Sequence, residues 1–165
     1  MEVMKGFKIV GITIKTTNQD GKAAEDLGKL WEQFYSQDIS GKILNKKSDA
    51  IYSVYTDYES DYTGKYTCII GLCVESLEQI PDGLTGREFE SGEYRKFIAK
   101  GQMPKAVSET WQEIWKKDKE LNRTYTADFE IYGHRSQNGE NAEIDIYIAT
   151  KQENSNISKH THTVN

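Results

Sequence analysis

The chain has 165 residues, a formal net charge of −5, and 28% charged against 36% hydrophobic residues. That balance suits one soluble globular domain, and no apolar run approaches the roughly 20 residues that span a bilayer. The acidic excess argues against nucleic acid as a direct partner, because phosphate binding needs clustered Lys and Arg and the sharpest such group is only Lys42, Lys46 and Lys47. The N-terminus lacks a basic stretch followed by a long apolar one and a cleavage site, so a cytoplasmic location is expected.

From Phe7 to Thr16 the residues are β-prone, and Asn18-Gln19-Asp20-Gly21 ends the strand with turn formers. A helix follows on the stripe Leu27, Leu30, Trp31, Phe34 and Tyr35. Two strands come next, one around Ile51 to Thr56 and a nearly continuous apolar one from Tyr66 to Val74 that reads as covered on both faces. Cys68 and Cys73 lie five apart in that run, would point to opposite faces, and read as unpaired apolar fillers. Pro81, Asp82-Gly83 and Gly86 then break the pattern and mark a linker over 77–87.

The order repeats after the linker. A strand from Phe89 to Ala99 precedes a helix opened by Gly101 and Pro104, and strands at Tyr125 to Tyr132 and Ile144 to Ala149 flank a polar hairpin loop. The second helix carries Val107, Thr110, Trp111, Ile114 and Trp115, the first stripe displaced by a constant 80 positions (31 to 111, 35 to 115). The expected fold is α+β, with two βαββ units around a pseudo-twofold axis, a mainly antiparallel sheet, helices packed on one face and a central ligand cleft. Repeat one covers about 5–76 and repeat two 88–151 of a single domain at 1–151, and 152–165 is expected to be a mobile polar tail. His160 and His162 in that tail lack the further ligands that a metal site needs.

Alternation places Ala127, Phe129 and Ile131 on one face of their strand and Asp128, Glu130 and Tyr132 on the other. If the apolar face lies under the helix, the acidic face looks into the junction between repeats. The next strand is read in the same way, with Ile144, Ile146 and Ile148 inward and Asp145, Tyr147 and Ala149 on the acidic side. Tyr55 takes roughly the place in repeat one that Glu130 has in repeat two. A cleft walled by tyrosine and tryptophan over one carboxylate suits lipophilic cations, by cation–π attraction and by charge. Most of each helical stripe is expected to be core, with one edge, Trp31 and Trp111 above all, reaching the cleft wall. No phosphate loop, zinc-protease motif or nucleophile elbow is present, and no cofactor is indicated.

The run Ile51-Tyr52-Ser53-Val54-Tyr55-Thr56-Asp57-Tyr58 through Tyr66-Thr67, the segment Gly92-Glu93-Tyr94-Arg95-Lys96-Phe97, the Trp111 to Trp115 helix and Asp128-Phe129-Glu130-Ile131-Tyr132 together resemble the GyrI-like effector-binding superfamily. Within it they are most similar to the stand-alone integron-cassette effector-binding proteins, over about residues 5 to 151. The resemblance implies the ligand-sensing fold of multidrug-responsive and AraC-type regulators, with a pocket for bulky, often cationic compounds and a functional glutamate at Glu130. With Glu130 the candidate ligand-binding residues are Tyr55, Tyr147, Trp111, Trp31, Tyr132 and Tyr94. The fold fills residues 5 to 151 and leaves no room for a helix-turn-helix, so a separately encoded regulator is the expected protein partner. Two alternatives stand beside binding. Some members of the superfamily hydrolyse strained electrophilic rings, which would make Glu130 an acid or base helped by Tyr147 or Trp111, and another role is inhibition of a topoisomerase-like protein.

Overall fold

The computed structural model describes residues 2–151; the polar stretch 152–165, with His160 and His162, lies outside the described residues. In chain order the elements are β1 (Glu2–Met4), β2 (Phe7–Thr17), α1 (Lys22–Ser36), α2 (Ile39–Lys42), β3 (Lys46–Thr56), β4 (Lys65–Val74), β5 (Thr85–Phe89), β6 (Gly92–Lys100), α3 (Lys105–Lys116), α4 (Asp118–Leu121), β7 (Ala127–Tyr132) and β8 (Glu143–Ala149). The strands form one sheet in the order β1-β6-β8-β7-β3-β4-β2-β5, antiparallel at every step. Its centre is palindromic. β2-β4-β3 of one βαββ unit meets β7-β8-β6 of the other, and the pseudo-twofold axis passes between β3 and β7.

The sheet is rolled. Phe7 on β2 and Phe129 on β7 lie three strand spacings apart, about 14 Å in a flat sheet, yet their ring centroids are 5.0 Å apart. The chain closes the roll at its two ends. β1 pairs with β6 at one edge and is joined by Lys5-Gly6 to β2 near the other, a link that spans no more than about 10 Å. Glu90-Ser91 makes the converse crossing, from β5 beside β2 to β6. A Cβ on Gly6 would come 2.7 Å from the Phe89 carbonyl oxygen, so glycine is what lets the two joints meet. The strand expected from Phe89 to Ala99 is therefore two strands, because the chain leaves one sheet edge and enters the other at this point.

Rolling buries both faces of the central strands. On the inner face Ile9, Val54, Ile69, Phe129, Tyr94 and Tyr147 form one cluster. The outer face carries the helices: Leu30 and Phe34 of α1 pack on Val10, Ile70 and Leu72, and Ile114 of α3 packs with Ile144, Ile146 and Ile148. This corrects the face assignment. The apolar side of β7 that holds Phe129 does not lie under a helix but fills the roll, and Glu130 shares the helical face with Ile146, its directly opposite neighbour. Cys68 and Cys73 are both buried and free. Among the described residues no helix is long and apolar enough to cross a membrane.

Candidate functional site

Between α1 and α3, over the central strands β3 and β7, lies a cleft of about 870 Å³, within the range of small-molecule sites. Its two helical walls are equivalent residue for residue. Ala23, Ala24, Leu27, Gly28, Trp31 and Tyr35 line it from α1, and Met103, Pro104, Val107, Ser108, Trp111 and Trp115, each 80 positions later, line it from α3 and the turn before it. The helical stripes thus divide. Leu30, Phe34 and Ile114 are core, while the edge bearing the indoles faces the cleft. The remaining wall is mainly tyrosine, with Asn18, Arg123 and the exposed Lys105 completing the lining. Tyr58 and Tyr62 come from the β3–β4 loop, Tyr66 from β4, Tyr55 from β3 and Tyr132 from β7. Edge contacts tie the rings together, Trp31 to Tyr132 at 4.8 Å and Tyr55 to Trp111 at 5.5 Å between centroids. At the rim, Tyr62 stacks on Trp115 at 5.7 Å with the planes 10° apart.

Glu130 lies on the floor with 1% of its surface exposed. Trp111 donates its indole N–H to Oε2 at 2.6 Å, and Tyr132 donates its hydroxyl to Oε1 at 2.7 Å. Burial penalises the charged form and holds the carboxyl above its ordinary range, against the opposing pull of Tyr132, Trp111 and Tyr55. All three of those partners are neutral. Among the described residues no basic side chain pairs with Glu130, so its charge is solvated by hydrogen bonds alone. The phenol of Tyr55 is in turn held well above its usual range, by burial first and then by the Glu130 charge.

The buried cation at the cleft already has a partner. Arg123, 1% exposed at its side chain, places Nη2 2.7 Å from Asp128 Oδ2, and its guanidinium lies 4.2 Å from the centre of the Tyr125 ring. Asp128 also accepts the Tyr58 hydroxyl at 2.6 Å and the Ala149 backbone N–H at 2.8 Å. Tyr125 itself adopts φ +56, a conformation unfavourable for a bulky residue. Arg123 thus lines the cleft with its charge shared between Asp128 and, at 3.4 Å, Asp118, and among the described residues the cleft presents a buried acid without a charged partner but no buried base without one.

Five of the seven residues singled out from sequence, Glu130, Tyr55, Trp111, Trp31 and Tyr132, line this cleft together. Tyr94 and Tyr147 do not. Phe129 is directly opposite Tyr147 and stacks on it at 5.1 Å, while Tyr94 meets the edge of Phe129 at 5.2 Å, which puts both tyrosines on the inner face. Directly opposite residues of an antiparallel pair share a face, and the cause of the error is register: β7 and β8 are offset so that Glu130 meets Ile146 rather than Tyr147 or Asp145. Across the axis, Ser53 stands opposite Glu130 and Tyr55 opposite Asp128. Tyr58, Tyr62, Trp115 and Gly28 were not singled out. The 80-residue offset held the signal for Trp115 and Gly28, whereas the loop tyrosines have no periodicity to reveal them.

The sequence pattern of the integron-associated effector binding proteins, Cass2, matches residues 1–150. YobU of Bacillus subtilis (strain 168), described as a candidate transcriptional regulator, is 30% identical over 148 residues, covering 88% of this chain and 92% of that protein. The integron cassette protein VCH_CASS2 of Vibrio cholerae is 30% identical with a TM-score of 0.68, covering 91% of this chain and 94% of that one. SAV2435, solved bound to tetraphenylphosphonium, has a TM-score of 0.76 at 21% identity over 91% and 92% of the two chains, a likeness of fold. The chain belongs to the integron-associated effector-binding protein family, on the GyrI-like fold.

Proposed function

We propose that the cleft binds a bulky aromatic organic cation, with Glu130 as its counter-charge and Trp31, Trp111, Tyr55 and Tyr132 as its walls. The observation that carries this reading is a carboxylate buried under aromatic rings with only neutral donors around it. Such a charge is costly in the empty protein, and an arriving cation offsets the cost. Ring faces add cation–π attraction of about 0.5 to 2 kcal/mol each once desolvated. The fold that SAV2435 shares with this chain accommodates tetraphenylphosphonium in that protein, a ligand of the chemistry the cleft calls for here.

In this role the protein is a sensor or a sequestering module, and the likeness to YobU favours a link to transcription. Titration by intrinsic tryptophan fluorescence is the test, since Trp31, Trp111 and Trp115 all border the cleft. Tetraphenylphosphonium is expected to bind and to alter the emission, and a neutral triaryl compound of similar size to bind more weakly. Equal affinity for the two would remove Glu130 as the counter-charge.

A further inference from the structure

Gly28 lies mid-helix in α1, where neither the backbone nor the packing asks for glycine. Its φ is outside the left-handed region, and a Cβ built on it meets nothing within 4 Å. Gly11 and Gly71 differ in this respect: on either one a Cβ would press to 2.0 or 2.1 Å from the facing strand's carbonyl oxygen. Glycine inside a helix weakens it relative to alanine, so at position 28 the fold bears a cost without a gain. The gain lies in the cleft. Gly28 borders it one turn after Ala24 and one turn before Trp31, and its counterpart on the other helical wall, 80 positions on, is the small Ser108. A side chain at 28 would start in open space at the exposed border of the cleft.

We infer that Gly28 sets the size limit of the ligand. The bare backbone between Ala24 and Trp31 receives one arm of a branched, three-dimensional onium cation, and a small single-ring cation reaches Glu130 without using that space. The inference rests on the cation-binding reading above and adds to it a ligand shape and the residue that selects it.

The test compares tetraphenylphosphonium with phenyltrimethylammonium on the wild type, Gly28→Ala and Gly28→Leu, by tryptophan fluorescence, with thermal unfolding measured in parallel. The ratio of the two affinities is expected to fall at least about tenfold in Gly28→Leu, a step of about one decade in binding constant, and by less in Gly28→Ala. The melting temperature should hold or rise in both variants, because helix propensity improves. If the wild type binds both cations and Gly28→Leu leaves the ratio unchanged, or weakens both equally, the size limit lies elsewhere while cation binding stands. If the wild type binds neither cation, both readings fall.

Discussion

The indole nitrogen of Trp111 lies 2.6 Å from Oε2 of Glu130, so a residue on a helical wall of the cleft is hydrogen-bonded to the acid on its floor. Helix α3 and strand β7 are thereby joined inside the cleft, and the same contact favours the charged form of Glu130 against the larger opposing effect of burial.

Replacing Glu130 by Gln keeps the shape and removes the charge. Affinity for a cationic aryl ligand is expected to weaken by about 1.5 to 3 kcal/mol, the range for interactions with a charged group, with little change for a neutral one. Fluorescence titration of both ligands against both proteins measures it. Unchanged cation affinity would take Glu130 out of the binding site.

The raised Glu130 pKa gives two pH dependences of opposite sign. Because the folded protein holds the Glu130 proton more tightly than the unfolded chain, the contribution of Glu130 to ligand-free stability is greatest below the ordinary carboxylate value and declines as pH rises through the folded value, opposite in sign to that of Asp26 and Asp57, whose pKa values are lowered. Cation affinity increases over that same window, since only the carboxylate attracts the ligand. The melting temperature of the wild type relative to Glu130→Gln should therefore fall over this window while the cation affinity of the wild type rises, and the pH dependence of affinity should flatten in Glu130→Gln.

Trp111→Phe retains an aromatic wall and deletes the indole donor. Glu130 then loses one of its two observed hydrogen bonds, so its carboxyl should titrate still higher and the pH at which cation affinity appears should move upward. The pH profile of binding reads this directly. A profile superimposable on the wild type's would mean the hydrogen bond does not tune the acid.

Arg123→Met strips Asp128 of its buried counter-ion while Tyr58 and the Ala149 N–H remain. Removing one partner of a buried pair costs about 3 to 5 kcal/mol, so urea denaturation should show a large loss of stability. By contrast Tyr147→Phe, on the inner face, should leave cation affinity as it is. A Tyr147→Phe protein with weakened binding would contradict the separation of the two faces.

Much of this site could be read in the chain. The repeated stripe identified Trp31 and Trp111, and alternation along 127 to 132 set Glu130 on the same face as Tyr132. What alternation could not convey was which face bears the helices. That rule presumes one face on the core and one in water, but the roll gives β7 two buried faces, and Phe129 goes inside it. Tyr147 was misplaced for a related reason. Its own strand alternates cleanly, and only the register between β7 and β8 determines which of its faces adjoins Glu130. Tyr58 and Tyr62 reach the cleft through a loop, whose course no periodicity encodes.

Each half of the duplication lends the other its outermost strand: β1, from the first half, completes the sheet at β6, and β5, leading into the second, completes it at β2. The halves are laced rather than merely juxtaposed. A fragment carrying one half alone would expose a bare hydrogen-bonding edge where its partner's strand belongs, which makes each half the natural capping element of the other. The two crossing threads at Gly6 and Ser91 thus join the halves a second time, beyond the β3–β7 ladder on which the cleft sits.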